Sequence, residues 1–296
     1  MKKKVALITD SSSGYKTHDK PDLYVIPLIV NINVKKEDKN DLTSVKDVHE
    51  IDQKRVLELI EDPKITVSTS QPNIGEMYQL VEQLLEEYEE IYVVPVTSTV
   101  SGSINSWRLI AEDYSQVKVI TQHIGGPMMK WIIDDVYELT HSAKNYDFEY
   151  IQNHVNELKS KIYGMLFVSD LKQLSKSGRV SKLATSVIDF FHRRVLISLD
   201  EKGMKFYGFC KSFSQGISKV IEYLKTKNEK FNDNLIESIM FIPTYQTNDP
   251  ENVKGTIELL KQSFKGYKKP YLMEQMPPAL TAHPGNNSLV VMFKTK

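Results

Sequence analysis

Residues 74–103, IGEMYQLVEQLLEEYEEIYVVPVTSTVSGS, contain a helix-like segment, a strand-like segment and a hydroxyl-rich segment in succession. The first segment has the i, i+3, i+4 spacing of one apolar helix face, with apolar residues at 77, 80, 81, 84, 85 and 88. The apolar run 91–96 that follows has the length of a buried strand. We therefore predict a helix over 74–89 and a strand over 91–96, an order that favours an α/β fold with a mainly parallel sheet.

Short apolar runs recur on both sides of this stretch. In the first half they predict further strands over 4–9, 24–34, 65–68 and 117–120, and a second helix with Ile104, Trp107 and Ala111 on one side. In the second half the predicted strands are 162–168, 195–199, 205–209, 235–243, 271–274 and 289–293, and the predicted helices are 183–191, 212–226 and 251–264. Turn residues at 200–203 predict a hairpin. We expect two domains: a parallel-sheet α/β domain over 1–162 and a mixed or antiparallel-sheet α/β domain over 163–296.

The charges of the chain balance, with 38 Lys and Arg against 38 Asp and Glu among 296 residues. Without a surplus of cations there is no general attraction to nucleic acid or to an anionic membrane. No apolar run reaches the roughly 20 residues of a membrane-spanning helix, and the run after the basic N-terminus is too short for a signal peptide. The single cysteine, Cys210, can form no disulfide within the chain. We expect a cytoplasmic protein that binds no nucleic acid and does not insert into membranes.

Three hydroxyl-rich segments follow predicted strands, at 9–13, 68–72 and 97–103. The carboxyl ends of parallel strands meet at one edge of a sheet, so we expect these segments to be neighbours. Pro72 suits a first helical position, and Ser101 or Ser103 suits an N-cap, so two segments would lead into helix N-termini, which attract anions. None of the three contains Lys or Arg. The pattern indicates a small anionic ligand such as a carboxylate, although Ser and Thr are also ordinary turn and cap residues.

Sequence motifs for other chemistries are missing. The chain contains no G-x-x-x-x-G-K-[ST], G-x-G-x-x-G, H-E-x-x-H or G-x-S-x-G, and one Cys cannot build a cysteine-based zinc cluster. We therefore expect neither a nucleotide cofactor nor a metal ion. His283 lies in a turn-rich loop over 281–288, where a single His is either structural or functional. The apolar segment 127–133 predicts a buried helix.

Taken together and in this order, the motifs resemble the DegV family of bacterial fatty-acid-binding proteins, which includes the lipid-carrying subunits of fatty acid kinase. The resemblance covers essentially the whole chain. It rests on Ile8-Thr-Asp-Ser-Ser12, Thr69-Ser-Gln-Pro72, Ser101-Gly-Ser103 with Ser106, Leu174 to Ser181 with Ser177-Gly-Arg179, and His283-Pro-Gly285. It implies two α/β domains with one acyl chain buried between them and its carboxylate held at the hydroxyl loops.

The resemblance also implies roles for particular residues. Thr69 and Ser101 match the family positions that bind the carboxylate of a long-chain fatty acid such as palmitate. Ser70, Gly102 and Ser103 supply the adjoining backbone, and His283 lies near the carboxylate. Arg179 and Lys211 match a rim that engages a fatty acid kinase, which would phosphorylate the presented carboxylate to an acyl phosphate. The chain itself would perform no chemistry and need no cofactor.

The chain departs from the family pattern in four places. Thr99 stands where a Gly is usual, and Thr121-Gln-His123 replaces Asp-Ser and small residues. Lys211 replaces a second rim arginine, and Asn286-Asn287 lies where Gly is common. Two alternatives of other classes stay open: a serine hydrolase that uses Ser101, His283 and Asp10, and an interaction module whose pocket is filled by side chains.

Overall fold

The computed structural model describes residues 2–36, 40–142, 146–168, 171–176, 194–229, 231–244 and 250–296. The strands are β1 (Lys3–Asp10), β2 (Leu23–Ile26), β3 (Ile29–Lys35), β4 (Asn40–Lys46), β5 (Ile65–Ser70), β6 (Tyr88–Val94), β7 (Val117–Val119), β8 (Ile162–Val168), β9 (Arg194–Asp200), β10 (Gly203–Cys210), β11 (Ile236–Thr244), β12 (Leu272–Met273) and β13 (Ser288–Thr295). The helices are α1 (Gln53–Glu61), α2 (Ile74–Glu87), α3 (Ser103–Asp113), α4 (Met129–Ser142), α5 (Phe148–Lys159), α6 (Leu171–Lys176), α7 (Phe213–Lys227), α8 (Pro250–Ser263) and α9 (Pro278–Thr281).

The first sheet is parallel and has the strand order β2-β1-β6-β7. It is covered on both faces, which explains the continuous apolar run of β1. Ala6 and Ile8 pack on the side of α2 and α3, while Val5 and Leu7 pack on the side of α4 and α5. The loops that leave the carboxyl ends of β1 and β6 are therefore neighbours at one edge.

A small antiparallel sheet, in the order β4-β3-β5, branches from the parallel sheet. Val30 and Val67 on its inner face pack against Val56 and Leu59 of α1. Ala279 of α9 joins the same cluster, although it comes from the far end of the chain. This contact brings the C-terminal loop to the end of β5.

The third sheet has six strands in the order β10-β9-β8-β13-β11-β12 and is mixed, because only β11 and β12 run parallel. One face is covered by α7 and α8, through Val220, Leu224, Val253 and Leu260. The opposite face shares a core with residues 124–133, which follow β7. An α/β fold with a parallel sheet and a separate mixed sheet is thus confirmed, whereas the domain boundary at 162/163 stays a prediction.

Several predicted elements are confirmed, among them the helix from 74, the strands 162–168 and 289–293, the 200–203 hairpin and the buried helix that begins at Met129. The predicted strand 24–34 was wrong as one element. It divides around Pro27 into β2 and β3, which lie in different sheets. The apolar run hides this division because both pieces are buried. The predicted helix 183–191 lies outside the described residues.

The predicted helix starts also need correction. Pro72 lies outside α2, which is capped by the Asn73 side chain through the N–H groups of Gly75 and Glu76. The N-cap of α3 is Gly102, not Ser101 or Ser103. In addition, the strand at 65–70 belongs to the antiparallel sheet, so its hydroxyl segment does not end a parallel strand.

Within the described ranges, no helix combines the length and the apolar character needed to cross a membrane.

Candidate functional site

Two adjoining cavities lie between the loops of the parallel sheet and the open face of the six-stranded sheet. The large cavity contains about 890 Å³ of space free of protein atoms and the small chamber about 320 Å³, and both figures include space open to solvent. Val100, Leu280 and His283 line both. The two spaces therefore meet at these side chains, and one elongated molecule can extend from one into the other.

The small chamber brings hydroxyl groups from two loops to one place. Thr69 and Ser70 come from the end of β5, and Ser101 comes from the loop after β6. The rest of the described lining is apolar apart from His283, and consists of Leu28, Val96, Val100, Ala279 and Leu280. The chamber thus offers hydrogen bonds, with no Lys, Arg, Asp or Glu among its described lining residues.

Thr69 and His283 form the central polar contact of the chamber. Thr69 Oγ1 lies 3.0 Å from His283 Nε2. When the imidazole N–H donates to the threonine oxygen, the threonine keeps its own hydroxyl hydrogen for a bound acceptor. The pair can therefore orient a donor toward a carboxylate without placing a full positive charge beside it.

Ser101 lies directly before α3, whose start adds backbone donors. Gly102 caps the helix without a side chain, and the Ser101 hydroxyl accepts a hydrogen bond from Ser103 N at 3.2 Å. A helix start capped by glycine leaves other early N–H groups to outside acceptors, and the helix dipole favours an anion there. Gln71 joins the first turn of α3 to the segment after β5, because its amide donates to Ser106 Oγ at 2.9 Å.

Asp47 anchors the loop that carries Leu280 and His283. Its carboxylate accepts a hydrogen bond from Ala279 N at 2.9 Å and another from Ser11 Oγ at 2.6 Å. Burial raises the pKa of Asp47 to about 6, although these hydrogen bonds oppose the shift. The chamber wall therefore depends on a buried carboxyl group that bonds to two segments distant from it in sequence.

The first hydroxyl segment has a structural role and does not line either cavity. Ser11, Ser12 and Ser13 are fully buried. Asp10 accepts hydrogen bonds from Val96 N, at 2.6 Å, and from Ser12. We predicted that the three hydroxyl segments are neighbours, and this one does contact the loop after β6 through Asp10 and Val96. Asp10 lines neither cavity and His283 Nε2 contacts Thr69, so the described contacts lend no support to the Ser101, His283 and Asp10 triad of the hydrolase alternative.

The large cavity is mainly apolar and is lined by side chains from both halves of the chain. They are Thr97, Val100, His123, Ile124, Pro127, Met128, Ile162, Leu166, Leu174, Leu199, Asp200, Met204, Ile242, Met276, Leu280, His283, Pro284, Val290 and Met292, together with Gly125, Gly126 and Gly203. Its size argues against the alternative of an interaction module with a filled pocket.

Two ionisable groups of this lining carry little charge into the cavity. Burial, with Lys159 nearby, lowers the pKa of His123, which favours the neutral imidazole. Burial alone would raise the pKa of Asp200, but hydrogen bonds from Lys227 and from Lys202 N keep it below its ordinary value. Lys227 neutralises the Asp200 carboxylate through a contact of 2.5 Å. The cavity suits an uncharged, apolar chain.

Comparison with known proteins gives the family. A family model described as "Uncharacterised protein, DegV family" matches residues 4–296. The chain belongs to the DegV family. A DegV domain-containing protein of Clostridium acetobutylicum is 32% identical over 243 residues, which cover 78% of this chain and 80% of that protein.

Solved DegV structures share the fold. A Thermus thermophilus DegV family protein described by its fatty acid binding has a TM-score of 0.78 at 15% identity, with 99% of this chain and 100% of that chain covered. A Eubacterium eligens DegV family protein loaded with heptadecanoic acid has a TM-score of 0.74 at 18% identity, with the same coverage. Both likenesses extend over the two halves that enclose the cavities.

The residues implied by the DegV resemblance fall into three groups. Thr69, Ser70, Ser101 and His283 line the small chamber together, while Gly102 and Ser103 start the helix beside it. Lys211 is exposed just after β10. Arg179 lies outside the described residues. Their assignment to a carboxylate or to a partner stays a prediction.

The departures from the DegV pattern have local explanations in two places. Asn287 has a φ of +55°, a left-handed conformation that Asn adopts more readily than most residues and that explains why it can replace Gly. Thr99 packs against the hairpin turn at Gly203, where an added Cβ would lie 2.7 Å from Thr99 Cγ2. Thr99 therefore forms a contact between the loop after β6 and the six-stranded sheet that a Gly cannot make.

Asp47 and the cavity-lining methionines were not predicted as site residues. Met128 lay in the predicted buried helix 127–133, but nothing in the local sequence joins it to Met204, Met276 and Met292. The sequence feature that could have indicated some of these residues is the absence of Asp, Glu, Lys and Arg over 275–293, a segment that contains Met276 and Met292.

Proposed function

We propose that this DegV family chain binds one long-chain fatty acid, with the carboxylate in the small chamber and the acyl chain in the large cavity. The observation that carries the proposal is the junction of a hydroxyl-lined chamber with an apolar cavity of about 890 Å³ at Val100, Leu280 and His283. Solved DegV relatives described with fatty acids lend support. No reaction at the chain's own residues is needed.

The acyl chain and the carboxylate of the ligand would contribute differently to binding, the first to affinity and the second to orientation. Each buried CH₂ group contributes about 0.8 kcal/mol, so a long acyl chain gives a gross driving force on the order of 10 kcal/mol. A hydrogen bond to a charged group contributes roughly 1.5–3 kcal/mol. The acyl chain would therefore supply most of the affinity. Thr69, Ser101, the adjoining Ser70, Gly102 and Ser103, and His283 would fix which end of the molecule enters the chamber.

Presentation to a partner kinase is the finer part of the proposal. A kinase would phosphorylate the carboxylate held at Thr69 and Ser101 to an acyl phosphate. The exposed Lys211 and the predicted rim residue Arg179 would contribute to the contact, Lys211 as a point charge without the bidentate geometry of arginine. Loss of acyl phosphate formation in Lys211→Glu, with fatty acid affinity unchanged, is the expected signature.

Carboxylate binding is tested with Thr69→Ala and Ser101→Ala. Each variant removes a hydrogen bond to a charged group, so we expect affinity for a C16 or C17 fatty acid to fall about 10- to 100-fold. Isothermal titration calorimetry on delipidated protein measures the change.

Neighbouring hydroxyl residues provide matched controls. Ser68 precedes Thr69 in β5 and faces the other side of the sheet, and Ser98 is exposed in the same loop as Ser101. Ser68→Ala and Ser98→Ala should bind as the wild type does. Unchanged affinity in Thr69→Ala and Ser101→Ala would move the carboxylate elsewhere.

A further inference from the structure

Five residues on neighbouring strands of the six-stranded sheet form a row across one wall of the large cavity. The pairing of five adjacent strands places Met204, Leu199, Gly164, Met292 and Met240 side by side. Three of the five, Met204, Leu199 and Met292, line the cavity, so the row faces it. Gly164 lies in the middle of this row, on the central strand β8.

Gly164 makes a recess in that wall, and Met292 fills it. Side chains alternate along a strand, so Gly164 shares a face with the cavity-lining Ile162 and Leu166. A Cβ added at Gly164 would lie 1.9 Å from Met292 Sδ and 2.8 Å from Met292 Cε. The thioether of Met292 therefore occupies the volume that any other residue at 164 would need.

The recess is placed where the middle of a bound chain would pass. The loop with His283 enters β13 at Ser288, whose hydroxyl donates to Pro284 O at 2.9 Å. Met292 lies four residues further along this strand, or about 13 Å from that corner. An acyl chain that extends from the small chamber along β13 would therefore pass Gly164 and Met292.

Methionine is suited to filling such a recess. Its unbranched side chain has three rotatable bonds and adapts to irregular space at low cost. Because Gly164 has no side chain, the Met292 thioether lies beside its backbone instead of extending into the cavity, which keeps the cavity wide at this point.

We propose that Gly164 and Met292 set the width of the acyl cavity and admit chains that bend in the middle, such as cis-monounsaturated or branched fatty acids. This inference rests on the proposed function and adds the residues that determine ligand shape. The bend of such a chain would occupy the width that the recessed Met292 thioether leaves free.

The test is a competition between two acids of equal length. Delipidated protein is incubated with equimolar octadecanoic and cis-octadec-9-enoic acids, and native mass spectrometry gives the bound ratio. Met292→Ala vacates the recess, so we expect the ratio of bent to straight acid to rise about fourfold, the equivalent of roughly one buried CH₂ group. Met292→Ile places a stiff β-branched side chain there, so the ratio should fall.

Met165→Ala is the matched control. Met165 is the next residue of β8, is fully buried and packs in the core on the opposite face of the same sheet. The control should keep the wild-type ratio.

An unchanged ratio in Met292→Ala overturns the inference, as does an equal rise in Met165→Ala, which would indicate general loosening. If Met292→Ala does not fold, an unchanged ratio in Met292→Ile overturns it instead. A wild-type protein that binds neither acid contradicts the proposed function itself, and the inference with it.

Discussion

At the scale of single residues, Asp47 is an ionisable side chain in a buried position. Its carboxylate joins Ser11, Ala279 and the chamber wall, but burial makes the charged form costly. The nearby Asp10 is also buried and has a raised pKa, again mainly because of burial. The folded chain thus holds two buried acidic groups whose pKa values are raised.

We predict that Asp47→Asn removes a pH-dependent destabilisation. The folded pKa of Asp47, about 6, lies above its ordinary value of 3.8, so the folded state binds the proton more tightly than the unfolded state. The stability that proton binding at Asp47 contributes to the wild type is therefore lost as the pH rises through about 6. Asparagine keeps an acceptor for Ala279 N but cannot ionise. Relative to the wild type, the variant should gain roughly 1 kcal/mol in free energy of unfolding between pH 5 and pH 7.5.

Urea denaturation at both pH values measures this difference. Asp41→Asn is a suitable control because Asp41 is exposed and its pair with Lys36 lies on the surface. A stability difference between Asp47→Asn and the wild type that does not change with pH would show that the Asp47 carboxyl group does not titrate in this range.

At the scale of elements, the loop after β6 is held between two sheets. Asp10 anchors its beginning through Val96 N, and Thr99 packs on the turn between β9 and β10. Gly203 in that turn has a φ of +90°, a conformation that other residues adopt only with strain. The position of Ser101 in the small chamber therefore depends on a hairpin in the other half of the chain.

The Thr99 contact predicts a specific coupling. Gly203→Ala should lower the free energy of unfolding by about 1–3 kcal/mol, from backbone strain and from the clash with Thr99 Cγ2. Thr99→Ser removes that methyl group and keeps the hydroxyl. The double variant Thr99→Ser/Gly203→Ala should therefore be more stable than the sum of the single effects predicts, by about 0.5 kcal/mol or more. Additive changes in a double-mutant cycle would mean that the two residues do not touch.

At the scale of the whole molecule, the alternation of apolar runs and helical segments was enough to predict two kinds of sheet. Four residues implied by the resemblance, Thr69, Ser70, Ser101 and His283, line one chamber, and their role there stays a prediction. The small antiparallel sheet was not predicted, because β4 is largely exposed and polar and lacks an apolar signal. Asp47 and the Gly164 recess depend on contacts between distant segments, which no local pattern encodes.

The proposed ligand is a single fatty acid that occupies the small chamber and the large cavity at once. Native mass spectrometry of the delipidated wild-type chain with heptadecanoic acid tests it most directly. We predict that one acid binds per chain, and that a Thr69→Ala/Ser101→Ala variant that remains folded shows far less of the complex at the same concentration. A wild-type chain that shows no added mass at saturating acid, or that takes up several molecules without a defined stoichiometry, would contradict it.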